Sequence, residues 1–360
     1  MYYHIITTQN CNLNCTYCGN EPTDLIPLKL MYSVDTLKEF LSQDTTPKLL
    51  AFYGGEPIME YRRILEIMDS VENTEFAIQT NGTLIERIPS DYIRRFHSIL
   101  MSIDGDEIHT DQFRGKNTYS KVLAGVKYIK DTGYAGELIA RMTITEGTDV
   151  YKQVRHLYDL NQFRYIHWQL DAMWGDIDAE HLKDYVEWLK DYNEDIRTLA
   201  DWWVSEMEEQ AIIPGIAPFM GIMHSLLSHE PAQLRCGSGI NFFSILTDGT
   251  LTACPIPPAK ELYLGNIKEN TPESIANKIK VDGKCADCDI LDVCGGRCLY
   301  TNKTQHWGDY GYLVICETVQ NLVEAMRDIQ DRVQKLIEKG YFRMNDFKYP
   351  KIPNGVEIIP

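Results

Sequence analysis

Cys11-Asn12-Leu13-Asn14-Cys15-Thr16-Tyr17-Cys18 is the stretch on which the reading of this chain turns. Its three thiols are separated by three and then two residues, a spacing that lets one loop hold an iron–sulfur cluster. Four cysteines would close every iron of a 4Fe-4S cluster and suit it to electron transfer. Three leave one iron open to bind and polarise a small molecule, so Cys11, Cys15 and Cys18 are read both as metal ligands and as the centre of catalysis. Zinc is the competing reading. A structural zinc site prefers four closed ligands in paired spacings, and no fourth Cys or His follows Cys18 within a short loop.

Working outward, the first 200 residues alternate short β-branched or aromatic runs with longer amphipathic ones. The pattern predicts strands from Tyr2 to Thr8, Leu49 to Tyr53, Glu75 to Thr80, Ile99 to Ile103, Leu138 to Thr143 and Tyr165 to Leu170. It predicts helices from Val34 to Ser42, Ile58 to Val71, Asp91 to Phe96, Tyr119 to Asp131 and Val150 to Leu160. Six βα units imply an α/β fold built on a parallel sheet, open or partly closed, with its chemistry at the carboxyl ends of the strands. The cysteine loop follows the first strand and so belongs at that end. From Asp178 to Gln210 the chain reads helical, with Tyr185, Trp188, Leu189 and Tyr192 as core contacts at turn spacing. Ile213 to Phe219, punctuated by Pro and Gly, reads as a boundary. The expected division is 1–212, 213–317 and a helix with a tail at 318–360.

Composition narrows the function. With 35 Lys and Arg against 52 Asp and Glu, the net charge is −17, which disfavours attraction to nucleic-acid phosphates. No run approaches the roughly 20 apolar residues that span a bilayer, and Met1 to Thr8 lacks a secretory pattern, so no membrane association and a cytoplasmic location are expected. Ten cysteines in such a chain argue for metal ligation over disulfides, and they cluster: three at 11–18, seven at 236–316. A basic run, Arg327, Arg332, Lys335, Lys339, Arg343, Lys348 and Lys351, reads as a solvated face or a dock for an acidic electron donor.

After the second predicted strand comes Tyr53-Gly54-Gly55-Glu56-Pro57. Two glycines allow close backbone approach, and a carboxylate beside them could hold an ammonium group; a tight turn is the plainer reading. The third strand ends in Gln79-Thr80-Asn81-Gly82 and the fourth in Ser102-Ile103-Asp104-Gly105, both polar ends at the active face. Arg141 on the fifth strand could clamp a carboxylate through a bidentate pair, or form an ordinary salt bridge. Gln169 and Asp171 lie at the end of the sixth. The segment from His109 to Arg114 reads as a polar loop before a helix.

The cysteine loop with Tyr17, followed one strand later by the Gly54-Gly55-Glu56 turn, resembles the radical S-adenosylmethionine (SAM) superfamily. The remaining cysteines, Cys236, Cys254, Cys285-x2-Cys288-x5-Cys294-x3-Cys298 and Cys316, resemble the SPASM domain of its peptide- and protein-modifying members. The resemblance implies a partial (β/α)6 radical SAM barrel, a small cysteine-rich SPASM domain and a C-terminal helix. It implies three 4Fe-4S clusters and SAM as cofactors, with Tyr17, Gly54, Gly55, Glu56, Asn81, Ser102, Arg141, Gln169 and Asp171 around SAM and Asp104 among the catalytic residues. By family analogy Cys285, Cys288, Cys294 and Cys316 enclose an outer cluster, and Cys236, Cys254 and Cys298 hold an inner one with an open position. The His-x-Asp-x-x-Arg pattern at His109, Asp111 and Arg114 resembles a segment of the same enzymes and is read as structural or substrate-positioning.

The resemblance implies hydrogen abstraction from a peptide or protein residue, giving oxidation or an intramolecular cross-link. A low-potential donor of ferredoxin or flavodoxin type would supply electrons. Formylglycine formation is the less attractive chemistry, because Pro255 follows Cys254 where an aspartate base is expected. A small-molecule dehydrogenase of the same domain group and a noncatalytic electron carrier are the alternatives. The Gly54-Gly55-Glu56 turn speaks against the carrier, which needs no SAM pocket.

Overall fold

The computed structural model describes residues 1–19, 22–173, 179–256, 259–350 and 359–360, with the side chains of 179–182 outside the description. Asp178 and Lys351 therefore lie outside the described residues. The chain begins with β1 (Tyr2–Thr8), α1 (Val34–Ser42), β2 (Lys48–Gly54), α2 (Tyr61–Ser70) and β3 (Thr74–Thr80). It continues through α3 (Ser90–Ile93), β4 (Phe96–Ser102), α4 (Glu107–Arg114), α5 (Thr118–Asp131), β5 (Glu137–Ile144), α6 (Val150–Asp159) and β6 (Tyr165–Leu170). These six strands pair in parallel and in sequence order. One face buries Ile5, Leu50, Phe52, Ile78 and Ile99 against the helices. Full burial of each such side chain is worth about 1.5–3 kcal/mol, which pins the register because a one-residue slip would turn it to the other face.

The sheet does not close. Its order is β6-β5-β4-β3-β2-β1-β7-β8-β9, where β7 is Phe242–Ile245, β8 is Thr250–Thr252 and β9 is Tyr263–Asn266. β7 pairs in parallel with β1, so the strands beyond the expected boundary extend the same sheet, and β8 and β9 add to it antiparallel. At the opposite edge, the amide of Ile166 on β6 donates to the Gly215 carbonyl, covering an edge that would otherwise be open to pairing.

Between the two halves stand α7 (Ala179–Gln210) and α8 (Ala217–Ser228). The Pro- and Gly-containing run expected to break the pattern carries the start of α8: Pro218 sits in its first turn, where no backbone donor is needed. After β9 come α9 (Pro272–Ile275), α10 (Leu291–Cys294), α11 (Leu299–Thr304) and α12 (Gly308–Glu338). α12 starts ten residues before the expected Thr318 and packs along α7. Arg197 pairs with Glu324 and Asp328, and Arg332 with Asp201 and Glu208, so part of the expected basic face is spent inside the helix pair. Tyr185, Trp188, Leu189 and Tyr192 are buried, as their spacing predicts.

Candidate active site

The cysteine loop leaves the carboxyl end of β1 and is fastened from two sides. On one side is the turn after β2. The amide of Gly55 donates to the Thr8 carbonyl and that of Glu56 to the Asn10 carbonyl, laying this turn along the stem of the loop. A β-carbon at Gly54, whose φ is +142°, would stand 2.2 Å from Thr8 O, and one at Gly55 would stand 2.3 Å from Asn10 O. Glycine is thus required here by close packing of two backbone segments. Gly55→Ala is expected to displace the loop and lower bound iron by about four per chain relative to the native protein, measured after anaerobic reconstitution.

Glu56 is buried and turned inward. Its Oε1 accepts from the Ile58 amide at 3.0 Å and the Thr80 hydroxyl at 2.7 Å, and its Oε2 from the Asn81 amide at 2.8 Å. Burial pushes its carboxyl up to about 7 against the pull of those three donors. Its oxygens therefore tie the β2 turn to the β3 end and do not stand free for a ligand's ammonium group. Asn81 continues the chain of contacts: its side-chain amide donates to Asn12 Oδ1 at 2.9 Å and reaches Cys11 Sγ at 3.7 Å.

On the other side is α4, where the sequence predicts a loop. Asp106 caps its start, accepting from the His109 amide, and Gly115 ends it with φ +106°. From this helix Arg114 makes a bidentate pair with Asp104, Nε to Oδ2 and Nη2 to Oδ1, each at 2.7 Å. Asp104 also accepts from the Tyr17 hydroxyl at 2.6 Å and the Thr143 amide at 2.9 Å. The Arg114 guanidinium lies 5.4 Å from the Tyr17 ring centroid, and the Thr16 amide donates to the Phe113 carbonyl at 3.0 Å. Asp104 and Tyr17 thereby lock the loop in place, a role different from those the resemblance implies for them. Asp111 accepts from the amides of Asn117 and Tyr119 and serves α5.

Ser102 and Gln169 lie at the strand ends, in register with Arg141 and Thr143. Asp171 follows β6 and accepts from the Met173 amide at 3.0 Å. Arg141 joins a different set. It is buried, donates to His167 Nδ1 at 2.7 Å, and shares its surroundings with Tyr349, Tyr53 and Tyr2. Of these, Tyr53 directly precedes the Gly54-Gly55 turn at the carboxyl end of β2, whereas Tyr2 opens β1. Burial lowers the Arg141 pKa below the ordinary arginine value, an effect those phenols offset only in part.

The seven later cysteines fall into two groups. Cys285, Cys288, Cys294 and Cys316 ring one cavity with Ile290, Leu291, Ile315 and Val319 in its wall. Cys254 is partly buried and feels the charges of Cys298 and Cys236, which places those three thiols together. Among the described residues no three His, Cys, Asp or Glu side chains converge on a point that would hold a single metal ion. A ring of thiols around a volume suits a cluster better than one tetrahedral zinc, whose ligands lie about 2.3 Å from the metal. Polar neighbours of the outer four escaped sequence reading: Tyr312, Asn302 and Arg297. Helical spacing could have found the first, four residues before Cys316.

Comparison with known proteins now adds to this geometry. Residues 5–159 match the model of the Radical SAM superfamily. The chain carries a radical SAM domain. It is 22% identical to a cysteine-type anaerobic sulfatase-maturating enzyme from Clostridium novyi, over 88% of this chain and 92% of the relative. It is 25% identical to an AdoMet-dependent heme synthase from Oleidesulfovibrio alaskensis, over 80% of each. Among solved structures, native anSMEcpe with bound AdoMet and Kp18Cys peptide superposes with a TM-score of 0.71, at 20% identity, covering 92% of this chain and 99% of that one. The expected partial radical SAM barrel is the fold observed: residues 5–159 carry the radical SAM domain, and the chain as a whole is similar to the sulfatase-maturating enzymes. Among the described residues no helix is long and apolar enough to cross a membrane.

Proposed function

We propose that this radical SAM enzyme removes hydrogen from a residue of a peptide or protein, yielding an oxidised residue or an intramolecular cross-link. The observation that carries the reading is the cysteine loop clamped between the Gly54-Gly55 turn and the Arg114–Asp104 pair, in a chain that also gathers seven further thiols. Cys11, Cys15 and Cys18 fit a 4Fe-4S cluster with one open iron; Cys285, Cys288, Cys294 and Cys316 fit a second, and Cys236, Cys254 and Cys298 a third. Bound there, the clusters and SAM supply a 5′-deoxyadenosyl radical for hydrogen abstraction and an acceptor for the electron the substrate then releases.

The chain's own residues position and shield. The backbone at Gly54 and Gly55 offers carbonyls to the amino group of SAM, with Ser102, Gln169 and Asp171 at the strand ends along which it would lie. Tyr17, Asp104 and Arg114 hold the cysteine loop at a fixed distance from those ends, so that the reacting carbon is met in line and not by diffusion. Peptide-bound relatives support a peptide substrate, and a ferredoxin or flavodoxin is the donor class that matches the chemistry. The likeness to a heme synthase keeps a second reading, oxidation of a small molecule.

Anaerobically reconstituted protein is expected to hold about twelve iron and twelve sulfide per chain. With SAM and a strong reductant, a pool of Cys- and Ser-containing peptides should yield products lighter by two hydrogens, read by mass spectrometry. Turnover of a diol or a porphyrin precursor with no change in any peptide would favour the small-molecule reading. A zinc content near two with little iron would overturn both.

A further inference from the structure

We propose that Arg297, Tyr312 and Asn302 raise the reduction potential of the cluster held by Cys285, Cys288, Cys294 and Cys316, favouring an electron there over one at the cluster of the first loop. The inference rests on the reading of those four thiols as cluster ligands given above.

A phenol, a side-chain amide and a backbone N–H are directed at the ligand sulfurs, and a guanidinium lies beside them. The Tyr312 hydroxyl lies 2.9 Å from Cys285 Sγ. A ligating cysteine is a thiolate and has no proton to give, so the phenol is the donor. Asn302 Nδ2 stands 3.7 Å from the same sulfur while donating to the Asp282 carbonyl at 3.0 Å, which fixes its direction. The Arg297 amide donates to Cys294 Sγ at 3.2 Å, and its side chain lines the cavity. Its guanidinium is held 5.3 Å from the Trp307 ring centroid, with Nε directed at the Pro360 carbonyl. Trp307 in turn donates to the Ala172 carbonyl at 2.7 Å, just past Asp171 at the end of β6. The cation is thus braced from the active-site side.

Among the described lining residues there is no carboxylate, and most of the remaining wall is apolar. Charges and dipoles act more strongly in such surroundings than in water. Reduction adds a negative charge to a cluster, so donors and a cation at its sulfurs favour the reduced form and raise the potential. The surroundings of the first loop are of mixed sign. The Glu56 carboxylate acts on Cys11 and that of Asp104 on Cys15, with Arg114 opposing the latter. The difference between the two sites is the direction needed for an electron to settle at the outer one.

The test is an anaerobic redox titration of the fully reconstituted chain followed by electron paramagnetic resonance. The signal lost in Cys294→Ala identifies the outer cluster. Arg297→Gln is expected to weaken reduction of that cluster about tenfold, a fall of about 59 mV for one electron, with the other midpoints unmoved. Tyr312→Phe, which deletes only the hydroxyl, should shift it the same way by less, and Arg297→Lys should restore most of the native value. If Arg297→Gln fails to load iron, Tyr312→Phe still decides. Native midpoints in the iron-loaded variants overturn the tuning while leaving the cluster in place. A Cys294→Ala chain with native iron and spectrum removes the outer cluster, and this proposal with it.

Discussion

Arg114→Met is expected to lower SAM cleavage by about a hundredfold or more, because Arg114 is the member that makes the loop clamp electrically neutral. Asp104 is fully buried and Arg114 is 7% exposed, so neither charge has water to fall back on. Removing one partner of a buried pair typically costs about 3–5 kcal/mol, since the other charge is left uncompensated. The damage would not stay local: Asp104 also holds the Tyr17 hydroxyl and the Thr143 amide, so its reorientation frees the cysteine loop and disturbs the carboxyl end of β5. A displacement of about 1 Å at the reacting centre is enough for a hundredfold loss.

Lysine should not rescue, as a single ammonium cannot reproduce the two parallel bonds to Asp104. A double replacement, Arg114→Met with Asp104→Leu, should recover thermal stability relative to Arg114→Met alone without recovering cleavage, since it removes the stranded charge but not the need for the clamp. Stability followed by circular dichroism and cleavage followed by 5′-deoxyadenosine separate the two effects. Native cleavage by Arg114→Met would show that the clamp does not position the loop.

This clamp also shows where sequence reading ended. β1 and β6 fall where short β-branched and aromatic runs predict them, because both strands are buried on both faces and read as continuous runs. α4 gave no such signal. Its buried residues are Thr110 and Arg114, a polar pair one turn apart, so no apolar stripe marks the helix; only the Asp106 cap and the Gly115 stop do. α8 failed for the opposite reason. Its first seven residues are all buried, so it has no polar face to create a period, and Pro218 with Gly221 reads as a break.

In the site itself, residue types were legible but directions were not. Nothing in Gly55-Glu56-Pro57 says that the carboxylate turns inward to Ile58, Thr80 and Asn81 and leaves only the half-buried backbone at Gly54 and Gly55 facing outward. Arg141 sits on the predicted strand, yet its side chain donates to His167 and shares its surroundings with Tyr349, Tyr53 and Tyr2, partners that the sequence does not announce. The grouping of Cys285, Cys288, Cys294 and Cys316, by contrast, was implied by the SPASM-like spacing and agrees with the cavity they line.

Cys15→Ala carries the other large expected effect. Cys15 is the middle ligand of the loop, partly buried and within electrostatic reach of both Cys11 and Cys18. With two thiolates left, the loop has too few ligands to retain a cluster, whereas the cysteines from 236 to 316 are untouched. Iron should fall by about four per chain with the remaining clusters still visible by Mössbauer spectroscopy.

The decisive measurement is anaerobic formation of 5′-deoxyadenosine from SAM with a strong reductant, comparing the iron-loaded native chain with Cys15→Ala by mass spectrometry. The account predicts formation by the native chain, stimulated by its substrate, and none by the variant. Equal formation by both chains, or SAM bound but uncleaved by the fully loaded native protein across the peptide and small-molecule pools, would contradict it.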